Sequence, residues 1–241
     1  AHAAVRTETV SYKHGDVALE GALVYDDAGK SPQPGVLVLH EWWGHGPYVR
    51  GRAEELAKLG YVAFAADMYG KGVYAKNHEE AGALSGAFRK NRQLMRERAL
   101  AGLDVLKKNP MTAANKLAAI GYCFGGTSVL ELARAGTALT GVVSFHGGLD
   151  TPNPETTTGV KAKILVLTGA EDKFVSASIP AFEEEMRKAQ ADWQMVSYGG
   201  AVHSFTVKEA GNDPSKGMAY DEKADRRSWQ AMRDFLREVL Q

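Results

Sequence analysis

The sequence predicts a mostly parallel, doubly wound α/β sheet of about eight strands, flanked by helices and led by an antiparallel hairpin. Three observations predict it. Strand-like and helix-like segments alternate from residue 35 to the end, the pattern of βαβ units. The strand-like segments are continuous apolar runs of four to eight residues, as expected for strands buried on both faces of a parallel sheet. Two earlier segments, Val5–Lys13 and Val17–Val24, flank the turn His14-Gly15-Asp16 and suit a hairpin.

Taken in order, a polar Pro/Gly-bearing loop from Asp26 to Pro34 follows the hairpin. The apolar runs are then Gly35–Leu39, Tyr61–Ala66, Leu117–Ile120, Gly141–Phe145 and Ile164–Leu167, with Met195–Tyr198 a shorter candidate. Helical periodicity appears between them. Tyr48–Leu59 sets Val49, Ala53, Leu56 and Ala57 on one face. His78–Lys108 is too long and too weakened by Gly82, Gly86 and Gly102 for one helix, and reads as two. Thr127–Ala135, Ile179–Ala189 and Glu222–Leu240 complete the set. No linker, repeat or low-complexity stretch interrupts the chain, so the expectation is one domain over residues 1–241.

Composition narrows the function. Hydrophobic residues are 44% and charged residues 24% of 241, a globular balance that excludes a disordered chain. Twenty-nine basic and twenty-nine acidic residues give zero net charge, whereas nucleic-acid binders carry a basic excess. No apolar run approaches the ~20 residues of a membrane span. One cysteine, Cys123, excludes an internal disulfide framework and a zinc site of several thiolates. The sequence leaves the oligomeric state open and is compatible with a monomer. Ala1-His2-Ala3-Ala4 holds an A-x-A pattern, so residues 1–4 read either as the remnant of a cleaved export signal, implying a periplasmic or exported protein, or as a tail on a cytoplasmic one.

In such sheets ligands bind beyond the carboxyl ends of the strands. The residues there include one nucleophile. Gly121-Tyr122-Cys123-Phe124-Gly125-Gly126 has the form of a G-x-S-x-G nucleophile elbow with Cys in place of Ser, between a strand and a helix. The glycines relieve a strained turn, and the positive end of the following helix favours a thiolate. Asp172 and His203 follow at later strand ends, in the chain order nucleophile, acid, histidine of α/β-hydrolases. His203 then accepts the thiol proton, and Asp172 fixes its tautomer. Glu171 and Asp150 are rival acids. His146 is a rival base, read first as a pocket-lining or core histidine.

His40-Glu41-Trp42-Trp43-Gly44-His45 is not an H-E-x-x-H zinc helix. Its histidines are five apart, and Gly44, Gly46 and Pro47 oppose a helix. No metal and no cofactor are expected. The loop's place suggests that Trp42 donates a backbone N–H to an oxyanion hole beside that of Phe124. Glu41 could hold or take the thiol proton, or simply brace the loop. Trp43 reads as a pocket wall.

These segments resemble the dienelactone hydrolase family. They are Val38-Leu39-His40-Glu41-Trp42-Trp43-Gly44, Gly60-Tyr61-Val62-Ala63, Asp67-Met68-Tyr69, the Cys123 elbow, Gly169-Ala170-Glu171-Asp172 and His203-Ser204-Phe205. The resemblance covers nearly the whole chain. It implies the α/β-hydrolase fold and a Cys123–His203–Asp172 triad that hydrolyses a small lactone or ester through a thioacyl intermediate. It also implies that Glu41 pairs with the resting thiol. By their places after the strands, Trp43, Tyr69, Lys71, His146 and Phe205 are the candidates to line the substrate pocket. Members that cleave dienelactone hold its carboxylate with two arginines. Here those neighbourhoods offer Lys71, and Val207 followed by Lys208. Lysine lacks the bidentate fork, so the resemblance does not extend to dienelactone itself and leaves a different lactone or a neutral ester. Relatives with the same His-Glu-Trp-Trp loop often carry an export signal. The alternative from another class is a non-enzymatic ligand-binding or redox-sensing module in which Cys123 is oxidised.

Overall fold

Ten residues on either side of one glycine turn begin the sheet. Strand β1 (Val5–His14) pairs antiparallel with β2 (Val17–Asp26), from His14 opposite Val17 to Val5 opposite Asp26. Gly15 takes the left-handed φ of +56° that the two-residue turn demands. A computed structural model describes residues 4–30 and 32–241. Of the expected N-terminal tail, residues 1–3 lie outside the described residues, and Ala4 is hydrogen-bonded to Asp26 and Asp27 at the open end of the hairpin.

Among the described residues, eight strands form one sheet in the order β1-β2-β4-β3-β5-β6-β7-β8, the mostly parallel α/β architecture with its antiparallel hairpin. The chain divides into two compact units, residues 1–120 and 121–241. In the first, β2 pairs antiparallel with β4 (Val62–Ala65), and β3 (Gln33–Leu39) pairs parallel with β4. Every residue from Val36 to Leu39 and from Val62 to Ala66 is buried, which is why these runs carry no polar alternation. Helix α1 (Pro47–Lys58) starts on a proline and buries Val49, Ala53, Leu56 and Ala57, the predicted face.

The long helical stretch divides into α2 (His78–Lys90) and α3 (Arg92–Lys108), but not at a glycine. Asn91 makes the break. At φ −130°, ψ 82° it leaves the helical region, ends α2, and accepts the Leu94 N–H at 3.0 Å as N-cap of α3. Gly102 sits within α3, where a Cβ would lie 2.7 Å from that of Ala66, so this glycine sets helix-to-sheet distance. Asn91→Ala removes the cap and is expected to cost about 1 kcal/mol. Thermal unfolding checks this, and an unshifted midpoint contradicts the cap's role.

Strand β5 (Thr112–Tyr122) begins five residues before the predicted Leu117, since its partly exposed head lacks the apolar run that marks the rest. The second unit holds α4 (Phe124–Arg134), β6 (Gly141–Phe145), β7 (Lys163–Gly169), α5 (Ile179–Lys188), β8 (Trp193–Tyr198) and α6 (Glu222–Leu240). Strands β6, β7 and β8 pair in parallel. Helix α4 is buried on every side, and its last residue, Arg134, anchors an ionic cluster. The guanidinium donates from Nε and Nη2 to the two oxygens of Glu185, both at 2.8 Å, and from Nη2 to the Leu149 carbonyl at 2.6 Å. Thr157 donates to the same Glu185 at 2.8 Å. No described helix is long and apolar enough to cross a membrane.

Candidate active site

The chain turns from β5 into α4 on one residue. Cys123 sits between them at φ 54°, ψ −115°, a region disfavoured for any side chain. Steric facts around it explain the glycines. A Cβ on Gly121 would lie 2.0 Å from the Gly125 carbonyl oxygen, and one on Gly126 2.5 Å from Ser144 Oγ. The strained turn is held by the Cys123 N–H, which donates to the Phe145 carbonyl at 2.9 Å, and by the Thr127 N–H, which donates to the Cys123 carbonyl at 3.1 Å. Helix α4 begins at Phe124, where the elbow expects it, three residues ahead of the periodic stretch Thr127–Ala135. It directs its positive end at the sulfur, which is 7% exposed as a residue.

The second unit brings the three predicted residues together. Cys123 Sγ lies 3.2 Å from His203 Nε2, and His203 Nδ1 lies 2.8 Å from Asp172 Oδ2. A carboxylate accepts, so Nδ1 carries a proton and Nε2 faces the sulfur. Asp172 is fully buried, and its other oxygen accepts the Phe174 N–H at 2.9 Å. The rival acids Glu171 and Asp150 are both exposed. The His203 loop is pinned by backbone bonds, His203 N–H to Gly217 and Ala219 N–H to His203. Ser204 follows at φ 60°.

Burial by itself pushes the His203 imidazole towards neutrality. The Cys123 sulfur and the Asp172 carboxylate, both hydrogen-bonded to the ring, outweigh it and raise His203 from the ordinary 6.5 to about 10. The imidazolium therefore persists up to about that value, hydrogen-bonded to the sulfur on one side and the carboxylate on the other. Alkylation of Cys123 by iodoacetamide is expected to remain fast at about pH 6, well below the ordinary thiol range near 8.5. In His203→Ala that low-pH reactivity is lost and returns only in the ordinary thiol range. Coincident pH profiles for the two proteins contradict the pairing.

Other side chains surround His203. His146 and Phe205, expected to line the pocket, have no exposed surface. Their rings stand 5.6 and 5.1 Å apart in an edge contact chain, His146 on His203 and His146 on Phe205 respectively. Both rings lie in the core, which is one of the two places that the sequence allowed for His146. Phe174 escaped the sequence reading. It is 68% exposed, and its ring meets that of His203 edge-on at 5.4 Å. Its signal was an aromatic two residues after the triad acid. Thr206, buried against His146 Nε2 at 2.8 Å, was also missed.

The first unit positions the remaining candidates. His40 is fully buried, and burial lowers it to about 4, so the ring is neutral. Its Nε2 accepts the Met68 N–H at 3.0 Å, which leaves Nδ1–H to donate to the Glu41 carbonyl at 2.6 Å. Both nitrogens thus tie the loop carrying Glu41 to the segment after β4. Glu41 is itself buried. Tyr69 is nearly buried and donates its hydroxyl to the Trp42 carbonyl at 2.8 Å, so it braces the loop where a pocket wall was expected. Trp42, Trp43 and His78 form a ring cluster with centroids 5.4–5.5 Å apart. Lys71 is turned to β2, where its ammonium meets Glu20 at 3.4 Å. That pair is exposed and weak, but it directs Lys71, a basic candidate for anion recognition, at a protein carboxylate.

Residues 20–240 match the dienelactone hydrolase family. A solved structure named m3DLH is 39% identical and covers 99% of this chain and 100% of its own, with a TM-score of 0.95. The dienelactone hydrolase-like promiscuous phosphotriesterase P91, from metagenomic libraries, is 36% identical at a TM-score of 0.93, over 99% of this chain and 100% of its own. A protein of Aquifex aeolicus (strain VF5), provisionally named carboxymethylenebutenolidase, is 27% identical over 97% of this chain and 99% of its own. With a Cys–His–Asp arrangement at the ends of its strands and the family's sequence over most of its length, the chain belongs to the dienelactone hydrolase family of α/β-hydrolases.

Proposed function

We propose that this hydrolase cleaves small neutral carboxylic esters and lactones by acyl transfer to Cys123. The observation that carries the reading is the line from Cys123 Sγ through both nitrogens of His203 to Asp172 Oδ2, with steps of 3.2 and 2.8 Å. The thiolate attacks the carbonyl carbon, and the C=O electron pair moves to oxygen. The Phe124 N–H, first in α4, receives that oxyanion. As the intermediate collapses, the ester C–O bond breaks and His203 Nε2 gives its proton to the leaving oxygen. A thioester to Cys123 remains. Water then loses a proton to Nε2 and attacks, the C–S bond breaks, and the acid departs with the thiolate restored. The parts given to Glu41, as partner of the resting thiol, and to Trp42, as second oxyanion donor, rest on the family resemblance.

Two features support neutral substrates. Lys71 is engaged by Glu20, and Phe174 offers an exposed apolar ring beside the base. The test is initial-rate hydrolysis over a panel of neutral aryl acetates, aliphatic lactones and carboxylate-bearing lactones. Faster turnover of the neutral members is expected. Preference for the anionic lactones contradicts the assignment.

Identity of 36% with P91 favours a second reading, attack of the same thiolate on the phosphorus of a phosphotriester. Continued p-nitrophenolate release from paraoxon, absent in Cys123→Ala, supports it. Release of a single equivalent contradicts turnover.

A further inference from the structure

Segment 145–147 touches the Cys123 elbow, the strand before Asp172 and the loop after His203. The Phe145 carbonyl accepts the Cys123 N–H at 2.9 Å. Gly147 lies against the elbow so closely that a Cβ on it would stand 2.8 Å from the Gly126 carbonyl carbon. The His146 N–H donates to Leu167 at 2.8 Å, in the strand that leads to Asp172. The His146 side chain reaches the loop, sharing a hydrogen bond of 2.8 Å with Thr206 three residues beyond His203. Its ring also packs edge-on against His203, with centroids 5.6 Å apart.

The backbone of His146 is strained to make this reach. Its φ is +40°, although it is neither glycine nor asparagine, and it is fully buried. Non-glycine residues in this region are strained and persist where the surroundings over-determine them, most often beside active sites. At the end of β6 the strained turn directs the ring at the His203 loop. That loop needs a support, because Ser204 is itself left-handed at φ 60°.

We infer that His146 is a positioning residue for hydrolysis, which through Thr206 holds the His203 ring in line with Cys123. It is too deeply buried to touch substrate, so its effect passes through His203. This inference rests on the acyl-transfer reading for its kinetic readout, and a second readout does not depend on that reading.

The test uses His146→Phe, which keeps the ring and drops the hydrogen bond, Thr206→Val, which removes the same bond from the other side, their double variant, and His146→Gln, which restores a hydrogen-bonding atom. Steady-state constants for p-nitrophenyl acetate and the iodoacetamide alkylation rate of Cys123 are measured on each. One lost hydrogen bond in the positioning of the base corresponds to a fall in kcat of about tenfold. That fall is expected in each of the two deletion variants, with KM unchanged. The double variant should be no slower than the slower single one, because both remove one interaction. His146→Gln should recover most of the rate. Alkylation should fall in parallel, which separates failure of this inference from failure of the ester reading. Should His146→Phe not fold, Thr206→Val carries the test alone. A kcat within about twofold of the native value in Thr206→Val, with unchanged alkylation, overturns the inference. Independent, multiplying losses in the double variant overturn it too.

Discussion

Cys123→Ala is expected to lose p-nitrophenyl acetate hydrolysis by at least about 10⁴-fold, since removing a triad nucleophile typically costs that much or more. The fold should persist. The sulfur is a small group at the edge of the core, and the elbow is held by the backbone bonds to Phe145 and Thr127 that alanine retains. The unfolding midpoint should therefore stay near the native value and the circular dichroism should be superimposable. A rate within tenfold of native would place the chemistry elsewhere. Loss of activity together with loss of fold would be a stability effect, so the two measurements belong on the same preparation.

Arg134→Ala is the second large effect, and it falls on stability. The guanidinium is almost wholly buried and lies between Glu185 at 2.8 Å and Glu131 at 3.5 Å. Removing it leaves two carboxylates in the interior without their cation. Breaking a buried ionic cluster from one side costs about 3–5 kcal/mol. For a chain of this size that corresponds to a fall in melting temperature of roughly 10 °C. The double variant Arg134→Met with Glu185→Leu should recover part of the loss, because it removes the uncompensated charge as well. A fall of less than about 1 kcal/mol in Arg134→Ala, read from denaturant unfolding, would mean that water or a cation takes over the role.

The elements of this fold were legible where burial is uniform. Val36–Leu39, Gly141–Phe145 and Ile164–Leu167 are buried throughout, and uninterrupted apolar runs announce them. Where a strand leaves the core the signal fades. The Thr112–Lys116 head of β5 is polar and was not seen. Glycine was a poor guide to the helix break, because Gly102 serves close packing while Asn91 alone supplies both caps.

The Cys123–His203–Asp172 arrangement was legible because each member follows a strand and its residue type is chemically specific. Its supports were not. Thr206 and Phe174 are ordinary residue types whose meaning lies in what they touch. His146 showed only as a histidine at a strand end, since a left-handed φ has no signature in a non-glycine residue. The same limit explains Tyr69 and Lys71, whose place near a motif did not disclose that the Trp42 carbonyl and Glu20 had taken their polar ends.

The most direct test of the central claim is to trap the acyl intermediate. The protein is mixed with excess p-nitrophenyl acetate, quenched in acid during turnover and digested with trypsin. Cleavage after Lys116 and Arg134 releases Leu117–Arg134, which holds the only cysteine of the chain. The account predicts a p-nitrophenolate burst equal to the protein concentration, and one acetyl group on that peptide, at Cys123, removable by hydroxylamine. Turnover with the acetyl group on another residue, or with the same burst in Cys123→Ala, would contradict it.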